Sequence, residues 1–407
     1  MARSQRGQPS IVIVGGGHTG LLLALLLDHA EMPVSVVETH DIDAIMAAPF
    51  DGRALGLMRG ASRVFQGIGL WPAFADIAEP VRGVRVCDEA SGATAAFDAK
   101  TLGEEAFGYG ITNRALRQRL LESCRARPGI TLIAPASVTS LRYEAEALVV
   151  SLADGRELRP SLLVGADGRG SPVRDLAKIG ARRSSYPQSA ITFAFRLSDD
   201  HDQCVHEYLR PAGPLALLPI GRALISVTWI ERHGTAARLM ELDHQSLLRE
   251  MQDRIGERPE IEELCGTPTC HPLGSVQANR YSAPRVALVG DAAHGLHPIH
   301  AQGFNLAVRD VATLAEIVVD GVRAGADPGG ADILLHYDRR RRDDARITIG
   351  FTDGLNLLFS NDLVPAKWLR GLGLSAVDRV APLKELVMRR GMGIAGDLPR
   401  LARGQAL

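Results

Sequence analysis

A glycine-rich turn near the N-terminus carries the first residues whose types and spacing predict chemistry. The turn Gly15-Gly16-Gly17-His18-Thr19-Gly20 follows the apolar run Ile11–Val14, and Glu38 ends the next such run, Val34–Val37. In a strand–turn–helix unit, such glycines allow a tight turn, close approach of a pyrophosphate, and packing of helix on strand. An acid about twenty residues later accepts hydrogen bonds from ribose hydroxyls. The pattern predicts a dinucleotide site, and Glu38 favours FAD or NAD over NADP.

A second turn, Gly290-Asp291, follows the apolar run Val286–Val289 and precedes a helix that we expect to begin near Asn305. An acid at the end of a buried strand can accept hydrogen bonds from ribityl hydroxyls. The backbone N–H groups of Gly303, Phe304 and Asn305 would stabilise negative charge on the N1–C2=O edge of a reduced flavin. Asn305 also suits the N-cap of the helix, and the two roles are compatible.

A third turn, Ala166-Asp167-Gly168, closes the apolar run Leu162–Gly165. Parallel α/β sheets bind ligands at the carboxyl ends of their strands, which would place Asp167 near the other two turns. Asp-Gly by itself is also an ordinary turn signal. Because three such turns suit a flavin better than a single nicotinamide, the sequence predicts that all three surround one flavin.

Several nearby polar residues have two interpretations on local grounds. Arg53 would either pair with Asp51 at the surface or reach the cofactor, and Arg114 would be solvated or meet a phosphate. A further set of histidines, at positions 294, 297 and 300, has a regular spacing. Pro298 interrupts any helix there and no carboxylate partner follows, so we predict no metal site.

The elements that must position these residues predict an α/β fold. Alternating short apolar runs and helical segments indicate a Rossmann-like FAD-binding domain, formed discontinuously by residues 1–78, 104–182 and 276–345. It is interleaved with a mixed β-sheet substrate domain of residues 79–103 and 183–275, in which helices are expected at Leu247–Ile255 and Pro259–Leu264. C-terminal helices occupy residues 346–407.

Composition excludes several classes of protein. A chain of 407 residues is long enough for two interlocked domains, and a formal net charge of −1 argues against nucleic-acid binding. Five scattered cysteines fit a reducing compartment, and a polar N-terminus without a bilayer-length apolar run predicts a cytoplasmic protein. After Ala366, eight basic and three acidic residues are interleaved with leucines. That pattern indicates either contact with the inner membrane face or helix packing.

Taken together, these motifs resemble the aromatic-ring flavoprotein monooxygenases of the p-hydroxybenzoate hydroxylase type. More narrowly, the chain resembles the ubiquinone-biosynthesis hydroxylases, and within them the 2-polyprenyl-6-methoxyphenol hydroxylase branch. Beyond the three glycine turns, the resemblance rests on the segments Phe50–Ala54, Gly69–Trp71, Gly213–Ala216, Tyr337 and Thr352–Leu355. The similarity extends from about residue 10 to residue 393.

The resemblance implies an FAD enzyme that hydroxylates the ring of a polyprenylated phenol through a flavin C4a-hydroperoxide, with O₂ and NAD(P)H or another reductant. It implies a hydrophobic phenolic substrate and a ubiquinone-biosynthesis protein complex as partners. The residues it assigns to FAD are Gly15, Gly17, Gly20, Glu38, Arg53, Arg114, Asp167, Asp291, Pro298, Gly303, Phe304 and Asn305. His297, Pro298 and His300 would line the reaction site, the histidines as groups for proton transfer.

One segment departs from the family pattern. The family commonly has glycine where this chain has Ala301, and His300 adds a titratable group beside the expected flavin. Three other functions remain open from the residues alone: a hydroxylase of a soluble aromatic secondary metabolite, a non-catalytic FAD-bearing subunit of a membrane-associated complex, and an NAD dehydrogenase.

Overall fold

The computed structural model describes residues 10–145, 147–256, 259–296, 302–359 and 364–407, and the side chains of these residues outside 351–370. Its strands are β1 Ile11–Val14, β2 Val34–Val37, β3 Ala54–Met58, β4 Glu79–Val81, β5 Gly83–Asp88, β6 Thr94–Asp98, β7 Gly108–Thr112, β8 Ile130–Ile133, β9 Val138–Tyr143, β10 Leu148–Leu152, β11 Glu157–Leu158, β12 Leu162–Gly165, β13 Ala181–Leu197, β14 Cys204–Leu209, β15 Leu215–Gly221, β16 Leu224–Arg232, β17 Ile261–Ala278, β18 Ser282–Ala283, β19 Val286–Leu288 and β20 His294–Gly295. Its helices are α1 His18–His29, α2 Ile42–Ala47, α3 Arg59–Gly67, α4 Asn113–Arg125, α5 Pro172–Leu176, α6 His233–Met240, α7 His244–Ile255, α8 Gln302–Arg323, α9 Ala331–Phe359, α10 Val364–Arg379 and α11 Ala381–Gly391.

One sheet carries the predicted glycine turns. Its strands lie in the order β18-β19-β12-β1-β2-β8, and all pairs are parallel except the antiparallel β18–β19 edge. Strands β1, β12 and β19 are buried along their whole length, as expected for a parallel sheet covered on both faces. Helix α1, with Leu21–Leu27 buried, packs against α4 and α8. The mixed α/β architecture predicted from the sequence is therefore confirmed.

A second, larger sheet has the strand order β20-β17-β13-β16-β15-β14-β5-β6. Its two longest strands, β13 and β17, form an antiparallel ribbon near one edge, and Trp229, Phe193 and Phe195 form a separate core on which α6 and α7 pack. The helix expected at Pro259–Leu264 is wrong, because β17 begins at Ile261. Pairing with β13 satisfies the backbone groups of this segment, and such tertiary contacts override local helix propensity.

Close contacts join the two sheets. The Ser226 hydroxyl on β16 donates a 2.8 Å hydrogen bond to the carbonyl oxygen of Gly52, and Gly52 lies directly against the backbone of Phe193. The short strand β20 pairs with β17, so the large sheet also reaches the loop that follows Asp291. Helices α10 and α11 pack on β6 at the far edge of this sheet. Within the described ranges, no helix combines the length and the apolarity required to cross a bilayer.

Candidate cofactor site

The three glycine turns converge, as the sequence predicts. They follow β1, β12 and β19, which are adjacent in the sheet and end at the same edge. A Cβ on Gly15 would overlap the carbonyl oxygen of Ala166, and one on Gly290 would lie 3.1 Å from Thr19 Cγ2. These contacts connect the first turn to each of the other two. A single ligand at this edge would therefore contact all three.

The first turn has the backbone that phosphate binding requires. Gly15 has φ +114°, a conformation that L side chains rarely adopt, and a Cβ on Gly20 would overlap the Gly15 carbonyl oxygen. At Gly17, the N-cap of α1, a Cβ would meet no described atom within 4 Å. The N-terminus of α1 is thus open at Gly17, and its free N–H groups and positive dipole end suit an anionic group.

Glu38 lies at the end of β2 and is 8% exposed. Its Oε2 accepts a 2.7 Å hydrogen bond from the Gly16 N–H, while Oε1 accepts from the His40 N–H at 2.8 Å. Burial raises the pKa of Glu38, but the hydrogen bonds from His40 and Gly16 and the charge of Arg117 outweigh it and lower the pKa overall. The carboxylate is therefore ionised, and its remaining lone pairs can accept from ribose hydroxyls.

Two arginines hold the loop that carries Asp291. Arg169 donates from Nε to Asp291 Oδ2 at 3.2 Å and from Nη2 to the Leu296 carbonyl oxygen at 2.9 Å. Arg174, fully buried, donates from Nη1 to the Ala292 carbonyl oxygen at 3.0 Å. Both arginines follow β12, so the segment after the Asp167 turn fixes the position of the loop that carries Asp291. Asp291 itself keeps 43% of its side chain exposed.

Asp167 forms hydrogen bonds within its own turn, and its predicted role in FAD binding stays a prediction. Its Oδ1 accepts a 2.5 Å hydrogen bond from the Ser171 hydroxyl, and its Oδ2 accepts from the Val173 N–H at 2.9 Å. Burial raises the pKa of Asp167 above its ordinary value, although these two hydrogen bonds oppose the shift. The carboxylate thus organises the turn that presents Arg169 and Arg174.

Helix α8 begins at Gln302, three residues before the start expected from the sequence. Asn305 is therefore in the first turn, and the N-cap role is wrong. Its side chain instead bridges to the uncovered edge of β3: Oδ1 accepts from the Met58 N–H at 2.8 Å, and Nδ2 donates to the Gly56 carbonyl oxygen at 2.7 Å. At Gly303 a Cβ would meet no described atom within 4 Å.

Comparison with known proteins identifies the family. Residues 8–352 match the model of a family described as an FAD binding domain. The chain is 39% identical over 400 residues to ubiquinone hydroxylase UbiL of Rhodospirillum rubrum, covering 98% of this chain and 93% of that protein. The chain belongs to the FAD-dependent aromatic hydroxylases. The family to which the ubiquinone hydroxylases belong is thus the one that the motifs predicted.

Other family members agree with this assignment. The chain is 31% identical to the 3-demethoxyubiquinol 3-hydroxylase of Escherichia coli over 95% of this chain and 99% of that protein. Among solved structures, p-nitrophenol 4-monooxygenase from Pseudomonas putida superposes with a TM-score of 0.77 over 96% of this chain and 99% of that chain. At 17% identity this last similarity shows the hydroxylase fold. FAD is therefore the cofactor of this family member.

The described residues fit FAD. The open N-terminus at Gly17 suits the pyrophosphate, the ionised Glu38 suits the adenosine ribose, and the exposed carboxylate of Asp291 suits the ribityl chain. Of the two predicted arginines, Arg53 pairs with Asp51 through an Nη2–Oδ2 distance of 2.6 Å, and Arg114 is exposed in the first turn of α4. The roles of both in cofactor binding stay predictions. His297, Pro298 and His300 lie outside the described residues.

Two further residues of this site were not predicted from the sequence. Arg117, one turn after Arg114 on α4, places Nη2 3.6 Å from Glu38 Oε2 and donates from Nε to the Gly16 carbonyl oxygen at 3.4 Å. His18, within the glycine turn, donates from Nε2 to the Asn113 carbonyl oxygen at 2.9 Å and contacts the Phe304 ring edge-to-face. The spacing of three residues from Arg114 to Arg117 placed both on one face of α4 and was the available signal.

A fully buried polar network centred on Asp310 of α8 contacts the Gly290-Asp291 turn. Its Oδ2 accepts hydrogen bonds from the Gly290 N–H at 2.9 Å and from His294 Nε2 at 2.5 Å. Its Oδ1 accepts from Arg341 Nε of α9 at 2.7 Å. Burial raises the pKa of Asp310, but His294 and Arg341 outweigh this effect and lower the pKa overall. The ionised carboxylate thus ties the Gly290 turn to α8 and α9.

Replacing Asn305 with alanine should lower the free energy of unfolding by about 2–4 kcal/mol. The change leaves the Met58 N–H and the Gly56 carbonyl without their side-chain partner, and each unpaired buried group costs roughly 1–3 kcal/mol. Urea denaturation of the FAD-free protein measures the effect. The exposed Asn279 provides the matched alanine control, which should be nearly neutral. Equal losses at both sites would contradict this role of Asn305.

Protonation of His18 should make stability depend on pH. Burial, and secondarily the charges of Arg117 and Arg53, lower its pKa from 6.5 to about 4, although the hydrogen bond to Asn113 opposes this. Between these values the unfolded chain binds a proton that the folded chain does not, so stability falls as pH falls from 6.5 to 4. His18→Gln removes this contribution, which is at most about 3 kcal/mol. Denaturation curves across this range should therefore diverge between the two proteins, and parallel pH profiles would contradict the assignment.

Proposed function

We propose that this protein is an FAD-dependent monooxygenase that hydroxylates the aromatic ring of a polyprenylated phenol in ubiquinone biosynthesis. The observation that carries the proposal is the full-length similarity, at 39% identity, to a protein named ubiquinone hydroxylase. The 31% identity to a 3-demethoxyubiquinol 3-hydroxylase, again along nearly the whole chain, supports the same substrate class. Bound FAD, reduced by NAD(P)H, supplies the activation of O₂ in this family.

The protein's contribution is to bind, orient and shield the reacting groups. We assign the pyrophosphate to the turn at Gly15, Gly17 and Gly20, which α1 presents with its positive end. Glu38 would accept from the adenosine ribose and Asp291 from the ribityl chain. Both carboxylates are already oriented, Glu38 by the Gly16 N–H and Asp291 by Arg169. Binding therefore costs little side-chain conformational entropy.

The first turn of α8 would stabilise negative charge at the flavin ring. Its N–H groups at Gly303 and Phe304 have no partner within the helix, and the helix dipole adds to their effect. The Asn305 bridge to β3 and the Asp310 bond to the Gly290 turn fix the position of this helix. A preorganised set of donors stabilises charge without reorganisation during the reaction.

The two sheets would have different functions, one in FAD binding and the other in substrate binding. We assign residues 1–78, 104–182 and 276–345 to FAD binding, residues 79–103 and 183–275 to the substrate, and residues 346–407 to a C-terminal helical segment. The contacts of Gly52 with Phe193 and Ser226 lie where these parts meet. We place the phenolic substrate at this junction, because the loop of Gly52 and Arg53 lies between the large sheet and the cofactor edge.

The proposed activity requires a hydrophobic phenol, and its site of use would be a membrane surface or a ubiquinone-biosynthesis complex. The polyprenyl chain of such a substrate partitions into a bilayer, so a peripheral position at the inner membrane face suits the reaction.

Anaerobic titration of the FAD-loaded protein tests the proposal. Flavin absorbance should bleach on addition of NADH or NADPH, faster when a short-chain prenylphenol is present. On admission of ¹⁸O₂, the prenylphenol should gain one labelled oxygen atom, measured by mass spectrometry. Reduction without a hydroxylated product would instead favour a non-catalytic FAD subunit. Hydroxylation of unprenylated phenols alone would favour a soluble metabolite as the substrate.

A further inference from the structure

The α10–α11 hairpin concentrates exposed apolar side chains. Seven large hydrophobic residues are exposed in the described chain, and four of them lie in one stretch of fifteen residues within this hairpin. They are Leu372 at 67% exposure, Val380 at 49%, Leu383 at 36% and Leu386 at 51%. Single exposed leucines need no explanation, but a cluster of them on one element marks an interaction surface.

The hairpin presents a defined face because its other face is anchored. Leu374 and Met388 are buried against Phe97 of β6. Asp378 accepts a hydrogen bond from the Ala96 N–H at 3.2 Å and forms an ion pair with Lys384 at 2.9 Å. The exposed side chains therefore project from a surface that is fixed to the edge of the large sheet.

The same face is positively charged. Leu383, Leu386 and Arg390 lie on one side of α11, since residues three and four apart share a helix face. Arg379 and Arg389 are also exposed, and of the two carboxylates in residues 371–391, Glu385 pairs with Arg389 at 2.8 Å and Asp378 pairs with Lys384 at 2.9 Å. Residues 371–391 thus carry four basic and two acidic side chains, and neither acid forms an ion pair with Arg379 or Arg390 among the described residues.

We infer that the α10–α11 hairpin docks the protein on the surface of an anionic lipid bilayer. Leucines that enter the acyl boundary while arginines remain at the headgroups are the composition of an interfacial helix. Anionic headgroups complement this excess of basic side chains. A buried protein interface would instead deplete such charges at its centre. The inference deepens the proposed function and rests on it for its purpose, because a polyprenylated phenol is itself held in the bilayer.

Vesicle sedimentation of the full-length, FAD-loaded protein tests the inference. Binding should be stronger to vesicles of equimolar phosphatidylglycerol and phosphatidylcholine than to phosphatidylcholine alone, and should weaken as salt is added. The double variant Leu383→Ser/Leu386→Ser should bind at least about tenfold more weakly, because each buried leucine changes a transfer equilibrium by roughly that factor. Arg379→Gln/Arg390→Gln should weaken binding only to the anionic vesicles.

Leu335, 49% exposed on α9, provides the matched control. Leu335→Ser should bind vesicles like the wild type, and equal loss in this variant would overturn the inference. A homodimer in sedimentation velocity that the Leu383→Ser/Leu386→Ser change converts to monomer would also overturn it, by assigning the face to a second copy. Flavin absorbance reports that each variant is folded.

The test is separable from that of the proposed function. Hydroxylation of a dispersed short-chain prenylphenol should be unchanged in the leucine double variant, since these residues lie outside the cofactor site. Failure of the wild type to hydroxylate any prenylphenol would end the proposed function and leave the vesicle result standing. Wild-type hydroxylation without vesicle binding would end the docking inference alone.

Discussion

Replacement of Asp310 by asparagine should lower the free energy of unfolding by about 3–5 kcal/mol. Asp310 is completely buried and is one of two carboxylates, with Asp344, that pair with the completely buried Arg341, so its neutralisation breaks a buried ion pair and leaves Arg341 with Asp344 alone. An asparagine also cannot accept from the Gly290 N–H, His294 and Arg341 with the strength of a carboxylate. Urea denaturation of the FAD-free protein measures the loss.

The same variant should bind FAD roughly tenfold more weakly, because the Gly290 turn that carries Asp291 loses its bond to α8. Glu231→Gln is the matched control. It breaks another buried ion pair, between Glu231 and Arg210 in the large sheet, and should lower stability without changing FAD affinity. If both variants lose FAD affinity in proportion to stability, Asp310 acts on the fold as a whole and does not position the cofactor turn.

Replacement of Gly17 by alanine should weaken FAD binding roughly 10- to 150-fold while leaving the FAD-free protein as stable as the wild type. Gly17 has φ −81° and ψ −179°, which alanine adopts without strain, and the added Cβ would meet no described atom. The methyl group projects instead into the space we assign to the pyrophosphate. Loss of a backbone hydrogen bond to a charged group costs roughly 1.5–3 kcal/mol, which corresponds to that range.

Titration of FAD against apoprotein, followed by flavin fluorescence, measures this effect. Gly234 lies in α6, which packs on the larger sheet, and it also has open space at its Cβ position. Gly234→Ala is therefore the matched control and should bind FAD normally. Normal FAD affinity in Gly17→Ala would move the pyrophosphate away from the N-terminus of α1. A large loss of stability in the FAD-free variant would instead show that Gly17 has a packing role.

The sequence was sufficient for features that depend on local patterns. Strands β1, β12 and β19 were predicted from apolar runs followed by glycine turns, and their common edge follows from the geometry of parallel sheets. The family was also predicted correctly, since its motifs are short, contiguous segments. Predicting these features does not require knowing which residues far apart in the sequence are in contact.

Features that depend on distant contacts were missed for the same physical reason. Asn305 has the composition of a helix cap, yet its partners Gly56 and Met58 lie some 250 positions earlier in the chain. The Arg341 guanidinium belongs to a run of four arginines, a pattern typical of a solvated helix face, yet it is buried against Asp310, 31 positions earlier in the chain. Strand β17 has an initial segment with helical propensity, and only its long pairing with β13 makes it extended.

The strand order of the parallel sheet has a consequence for synthesis of the chain. Strand β1 is synthesised about 270 residues before β19, which completes the buried part of the sheet. Arg341, the partner of Asp310, emerges later still. Because translation proceeds at about 5–20 residues per second, the apolar faces of β1 and α1 lack their final packing partners for many seconds. The glycine turn at residues 15–20 therefore becomes a complete cofactor site only after β19 has been made, so FAD can select only chains that have been translated at least that far.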